Sequence, residues 1–123
     1  MEVFPYGDVL GAGRGWAQSI LMHPRISDEF ALFFQSHDRF ALGIYNGFQL
    51  FSHLKLIILG AKDWPFFEPN TSEQFEAHLS LIEIPESPSF FFQGMSGSRL
   101  PIVVSHSEGR AVFEVEQEQR IKK

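Results

Sequence analysis

The stretch that most restricts what this chain can fold into is Phe40-Ala41-Leu42-Gly43-Ile44-Tyr45-Asn46-Gly47-Phe48-Gln49-Leu50. A short apolar run, Phe40–Ile44, breaks at the spacing Gly43-x-x-x-Gly47 into a helix-like pattern. A buried strand that turns this sharply into a helix belongs to an α/β architecture. It lifts one residue above the carboxyl edge of the sheet, where such folds bind their ligands. The helix behind it offers unpaired N–H groups to an anion or an oxyanion. This is the pattern of a nucleophile elbow. The residue at its tip is Tyr45, where an enzyme normally places Ser or Cys.

The composition narrows the function classes. A chain of 123 residues supports one domain at most and is long enough to bury a core. Ten basic against fifteen acidic residues leave a net charge of −5, which argues against nucleic acid or an anionic membrane as partner. No apolar run approaches the ~20 residues of a membrane span. The first residues do not have the pattern of a signal peptide. There is no Cys, so disulfides, cysteine-held metals and cysteine nucleophiles are excluded. Fourteen Phe call for a bulky core or an apolar face that something else covers.

Along the chain, Met1–Tyr6 is short and interrupted by Pro5, and Gly11-x-Gly13-x-Gly15 forms a glycine-rich loop. A helix is expected after it, with Trp16, Ile20 and His23 on one face, ended by Pro24. Ser27-Asp28-Glu29 reads as the cap of a second helix whose apolar side is Phe30, Phe33 and Phe34. Phe40–Ile44 reads as a strand, and Asn46–Leu56 as a helix closed by Gly60, with Leu50, Leu54, Ile57 and Ile58 turned inward. Pro65 and Pro69 keep 63–70 from being helical. Gln74–Ile84 alternates as a strand does, Ile102–Val104 is a second strand, and Ala111–Val115 alternates again. Phe90-Phe91-Phe92 reads as a short buried turn or helix, and Glu116–Lys123 as a charged tail.

The chemistry-bearing residues give few strong signals. The three alternating glycines lack the strand–GxGxxG–helix spacing and the later acid of a dinucleotide site. His23, His37, His53 and His78 show no ligand spacing, and no metal site is expected. His106 and Glu108 are two apart and would share a strand face. Ordering of a loop is the favoured role for that pair, ahead of catalysis. The Phe residues at 30, 33, 34, 48, 51 and 90 to 92 are expected in the core.

The order of motifs does carry a resemblance. Tyr6-Gly7-Asp8-Val9-Leu10-Gly11-Ala12-Gly13, Gly15-Trp16-Ala17, Ala41-Leu42-Gly43, Asn46-Gly47 with Gln49, Trp64-Pro65, Asn70-Thr71-Ser72, Phe75-Glu76-Ala77, Gln93-Gly94-Met95 and Ser105-His106-x-Glu108-Gly109-Arg110 follow one another. Together they resemble the glutamine amidotransferase domain of phosphoribosylformylglycinamidine synthase, an enzyme of purine biosynthesis, from Phe4 to about Val115. The resemblance implies a class I, triad-type amidotransferase of flavodoxin-like three-layer α/β/α fold. Residues 1–115 would be a partial copy of that domain, incomplete in its sheet, and 116–123 a tail. In the family a Cys attacks the glutamine amide, a His-x-Glu pair moves protons, and ammonia passes to a synthetase site that uses ATP and Mg. The site residues implied here are Gly7, Asn46, Gln49 and Ser72 for substrate, with Tyr45 in the nucleophile position.

Departures from the family pattern set the functional expectation. The elbow Gly-Val-Cys-Asn-Gly-Cys-Gln of the family is Gly43-Ile44-Tyr45-Asn46-Gly47-Phe48-Gln49 here. A phenol, with its ordinary pKa of about 10, is neutral at pH 7 and needs a base that the sequence does not show. Two family glycines of the oxyanion region are Glu2 and Val3, a family Ser is Pro5, and a family Gly is Ser107. The family's opening βα unit and its triad His and Glu fall beyond the two ends of this sequence. The chain alone is therefore expected not to hydrolyse glutamine, to hold no cofactor, and to bind glutamine poorly if at all. Its expected partners are the synthetase domains of the purine enzyme or a second copy of itself, because a sheet without its first strands exposes an edge and apolar surface. The pathway implies a cytoplasmic location.

Overall fold

A computed structural model describes residues 10–114. It contains three helices, α1 (Ala12–Leu21), α2 (Pro24–Gln35) and α3 (Asn46–His53), and four strands, β1 (Phe66–Glu68), β2 (Glu76–Glu83), β3 (Arg99–His106) and β4 (Arg110–Val112). A 3-10 turn spans Phe90–Phe92. This is the mixed α/β class expected from the sequence, with both of its strand pairs antiparallel. Met1–Tyr6, Gly7 and the tail 116–123 lie outside the described residues. Two compact units divide the chain: Met1–Pro69 with Glu108–Lys123, and Asn70–Ser107.

The first unit is built on helix contacts. Ala17 and Ile20 of α1 meet Leu50 of α3 and Leu54 just after it, all buried, and Trp16, Phe30, Phe34, Phe51, Ile57 and Ile58 pack around them. Phe34 of α2 meets Phe51 of α3 edge-on at 5.6 Å, and within α2 Phe33 meets Phe34 edge-on at 5.5 Å. Such edge-to-face pairs add to the area they bury. The close approach of α1 to α3 depends on Gly13, because a Cβ there would stand 2.7 Å from the Gln49 Cβ. β1 and β4 pair with Phe66 opposite Val112 and Glu68 opposite Arg110. Phe48 of α3 stacks on Phe67 of β1, ring centroids 4.3 Å apart.

Three expectations for this unit are corrected. The second helix starts at Pro24, with His23 as its cap, rather than at Ser27–Glu29. The Ser27 N–H already bonds the His23 carbonyl, and proline at the first position costs nothing because its missing N–H would have been unpaired. Helix α3 ends at His53, short of Leu56 and Gly60: the Leu54 N–H is shared between the Leu50 and Phe51 carbonyls, which tightens the last turn. Phe40–Ile44 forms no ladder with any described strand, and Phe40 is 67% exposed. Apolar composition suits a strand, but a strand is defined by the ladder it makes and not by composition alone.

The second unit is a hairpin. β2 and β3 pair along eight residues each, from Glu76 opposite His106 to Glu83 opposite Arg99. Below Glu83, Ile84 is buried and exchanges backbone bonds with Gly97 and Ser98. At the other end Asn70 gathers the chain: its Nδ2 donates to the Gln74 and His106 carbonyls at 2.9 Å each, and its N–H to the Ser107 carbonyl. The strand alternation is as read, but one face, with Leu79 73%, Leu81 69% and Val103 71% exposed, is open. Phe90, Phe91 and Phe92 are exposed too, which corrects their placement in a buried turn, and Phe48 is exposed rather than in the core. Their own 3-10 turn holds the three rings along the chain instead of aiming them at one core.

Candidate functional site

The turn from Gly43 to Gly47 has elbow geometry. Tyr45 takes φ 56° and ψ −118°, a backbone region that side chains other than glycine's rarely occupy. Such strain persists only where the surroundings impose it, and it gathers at functional sites. Here the turn imposes it. The Gly47 N–H bonds the Ile44 carbonyl at 2.9 Å, and the Phe48 N–H bonds the Tyr45 carbonyl at 3.0 Å. Gly43 lies so close beneath the helix that a Cβ on it would meet the Gly47 carbonyl oxygen at 2.7 Å. The bare backbone at Gly43 thus lets the chain double back, and Tyr45, 39% exposed, is left at the tip. Asn46, in the first turn of α3, is buried, and its Nδ2 has no hydrogen-bond partner among the described residues.

One turn further along α3, Gln49 and His53 face a pocket of about 220 Å³. Its other walls are Gly11, Arg14, Phe67, Glu68, Pro69 and Glu108. Glu108 organises it. Both carboxylate oxygens accept from the Gly11 N–H, at 3.0 and 3.1 Å, and its backbone carbonyl accepts from Gln49 Nε2 at 3.0 Å. One residue therefore ties the glycine loop ahead of α1 to the helix behind the elbow. A charged acceptor on a backbone N–H makes a stronger bond than a neutral one. Arg110 fixes the neighbouring chain, with Nε donating to the Pro69 carbonyl at 3.1 Å.

His53 lies half-buried with its ring 5.3 Å from that of Phe66. Burial lowers its pKa below the ordinary imidazole value, and the Arg14 and Lys55 charges push the same way against the pull of Glu68 and Glu108. Lys55 is 4% exposed. Its Nζ donates to the Trp64 carbonyl at 3.2 Å, sits 3.7 Å from the Phe66 ring centroid and pairs with Glu114 at 3.8 Å. That ammonium is a clamp between the end of α3 and the β1–β4 pair.

The residues singled out in the sequence divide accordingly. Tyr45, Asn46 and Gln49 fall together on the elbow and the first turn of α3. Gly7 lies outside the described residues. Ser72 belongs to the hairpin unit, where its Oγ donates to Glu76 at 2.7 Å. His106 and Glu108 do not act as a pair: the His106 ring bonds Asn70 Oδ1 at 3.0 Å, and Glu108 holds Gly11. Arg14, His53 and Glu68 border the pocket but were not singled out for it. His53 was within reach of the sequence, being four residues from Gln49 on a helix and so on the same face. Glu68 was not, because its strand finds the pocket only by pairing with β4. Among the described residues no helix is long and apolar enough to cross a membrane. A family model described as a CobB/CobQ-like glutamine amidotransferase domain matches residues 1–123.

Proposed function

The chain belongs to the CobB/CobQ-like glutamine amidotransferase domain family, and from that premise we propose that it derives from the glutaminase domain of phosphoribosylformylglycinamidine synthase and does not hydrolyse glutamine. The observation that carries the reading is Tyr45 on the elbow tip at φ 56°. In the triad route a thiolate adds to the amide carbon, ammonia leaves, and water releases glutamate from the thioester. A neutral phenol in that position is a poor nucleophile without a base to take its proton. Its ring is also far bulkier than the thiol that the family carries at this position. The motif order is what supports the purine pathway and, with it, a cytoplasmic location. ATP and Mg would serve the synthetase domains and not this one.

The test is release of ammonia and glutamate from glutamine by the intact chain. Rates equal to buffer are expected. Protein-dependent hydrolysis that Tyr45→Phe abolishes would overturn the proposal. A second reading, a non-catalytic docking module for a synthetase subunit or a second copy, is favoured by the open apolar hairpin face of Leu79, Leu81 and Val103. Monomeric light scattering at high concentration, together with no binding to the synthetase domains, would remove it.

A further inference from the structure

The hairpin has two outer edges, and they are not equivalent. Just past the ladder the Ile84 N–H donates to the Ser98 carbonyl at 2.9 Å, which fixes the residues of β2 that bond β3. The direction of backbone bonding alternates along a strand, so Glu76, His78, Ser80 and Ile82 turn their N–H and C=O groups toward β3. Ala77, Leu79, Leu81 and Glu83 turn theirs away. Pro101 agrees with this parity: it has no N–H to give, and it stands opposite Leu81, in a pair that exchanges no bonds. On β3 the outward positions are Arg99, Pro101, Val103 and Ser105, so that edge lacks a donor near its middle. Proline on an edge is one device by which sheets avoid further pairing. β2 has no such device: it carries no proline, lysine or bulge, and no other described strand pairs with its outer edge. The strands of the β1–β4 pair are three residues long and offer shorter edges.

The β2 edge is its own complement. Paired antiparallel with a copy of itself about a two-fold axis at Ser80, it sets Leu79 opposite Leu81 and Ala77 opposite Glu83, in both halves. Every outward N–H and C=O of β2 then has a partner. An axis at Leu81 would set Ala77 opposite Pro85, which has no N–H, and one at Leu79 would set Glu83 opposite Phe75, outside the strand. With the axis at Ser80, Glu76 faces Ile84 and His78 faces Ile82, so no charged side chain meets one of like sign. Glu83 is already held by Arg99 of its own chain at 2.8 Å. A two-stranded hairpin is marginal by itself, and added strands stabilise it. We propose that a second copy of this chain adds to the β2 edge, antiparallel and centred on Ser80, to form one sheet of strand order β3–β2–β2–β3. The pairing rests on the second, docking reading, for which it supplies the partner and the edge.

The test is sedimentation equilibrium of the intact chain over a concentration series. Physiological ionic strength screens the net charge of −5 per copy within about 8 Å. A reversible dimer is expected. Leu79→Pro and Val103→Pro form a matched pair, because the two residues stand opposite each other and are 73% and 71% exposed. Each substitution removes an outward N–H and an apolar side chain without touching a bond between β2 and β3. Leu79→Pro should weaken the dimer by about tenfold or more, since it removes the Leu79 N–H bonds on both sides of the axis. Val103→Pro should leave the dimer unchanged. Equal weakening by the two would mean association through the apolar face, and would overturn the edge pairing while leaving the docking reading in place. Amide exchange in the unaltered chain is a second measurement that no variant's folding can confuse: it should slow at Leu79 and Leu81 as concentration rises, and not at Val103. A monomer at every concentration, or exchange at Leu79 and Leu81 that ignores concentration, would also overturn the proposal; binding of such a monomer to the synthetase domains would still keep the docking reading.

Discussion

Gly13 and Gly15 lie two residues apart in α1, and replacing each with alanine should change stability in opposite directions. At Gly13 an added Cβ would stand 2.7 Å from the Gln49 Cβ and 3.0 Å from the Asn46 oxygen and the Leu50 nitrogen. Two of these neighbours are backbone and the third is bonded to it, so none can swing aside. Helix α1 would have to draw back from α3 by several tenths of an ångström. Overpacking of this kind costs about 1–3 kcal/mol. The gain in helix propensity on replacing glycine offsets at most about 1 kcal/mol of it. The net expectation for Gly13→Ala is a loss of about 1–2 kcal/mol. At Gly15 nothing lies within 4 Å of the added Cβ, and its φ lies outside the left-handed range. Gly15→Ala should therefore gain about 0.5–1 kcal/mol from propensity and from a less flexible unfolded chain. Both tryptophans, Trp16 and Trp64, lie in the unit that contains α1, so their fluorescence follows it in a urea titration. With a slope of about 1–3 kcal/mol per M, the two midpoints should separate by about 1 M around the parent value. If both variants shift the midpoint the same way at unchanged slope, the close α1–α3 approach is not what Gly13 provides.

Three further expectations follow from single contacts. Glu108→Ala should speed hydrogen exchange at the Gly11 amide while leaving α2 amides unchanged, and Glu108→Gln, which keeps an acceptor, should restore part of the protection; equal exchange in all three would refute the tie. His53 has a lowered pKa in the folded chain, so the unfolded chain takes up its proton first as the pH falls. Stability should then decline as pH drops through the ordinary imidazole range near ~6.5, and His53→Gln should flatten that decline in denaturation measured between neutral and mildly acidic pH. Lys55→Met keeps the stem but removes the donor to the Trp64 carbonyl and the charge over the Phe66 ring, and it should cost about 1–3 kcal/mol in the same urea titration, with a cost near zero refuting the clamp.

Much of the local structure could be read from residue patterns, and the errors have a common cause. The helices after the glycine loop and after the elbow, and the alternating strands β2 and β3, follow from periodicity, a property each segment carries by itself. Phe40–Ile44 has the composition of a strand and pairs with no described strand. The three phenylalanines from 90 to 92 have the composition of a core and are exposed. In both cases the segment states a preference that only a partner elsewhere in the chain can satisfy.

The elbow shows where the division falls. Gly43, Gly47 and the apolar run before them were enough to place Tyr45 at the tip of a turn and, with the motif order, to indicate the family. The positive φ at that tip accompanies a local steric demand, that a chain reversing within five residues leaves no room for a Cβ at Gly43. The pocket needed the tertiary structure. Gly11, Gln49, Glu68 and Glu108 are far apart in sequence, and they meet because α1 packs on α3 through Gly13 and because β1 pairs with β4. Periodicity tells a residue which face it occupies, but the identity of the opposing face is set by packing between distant segments.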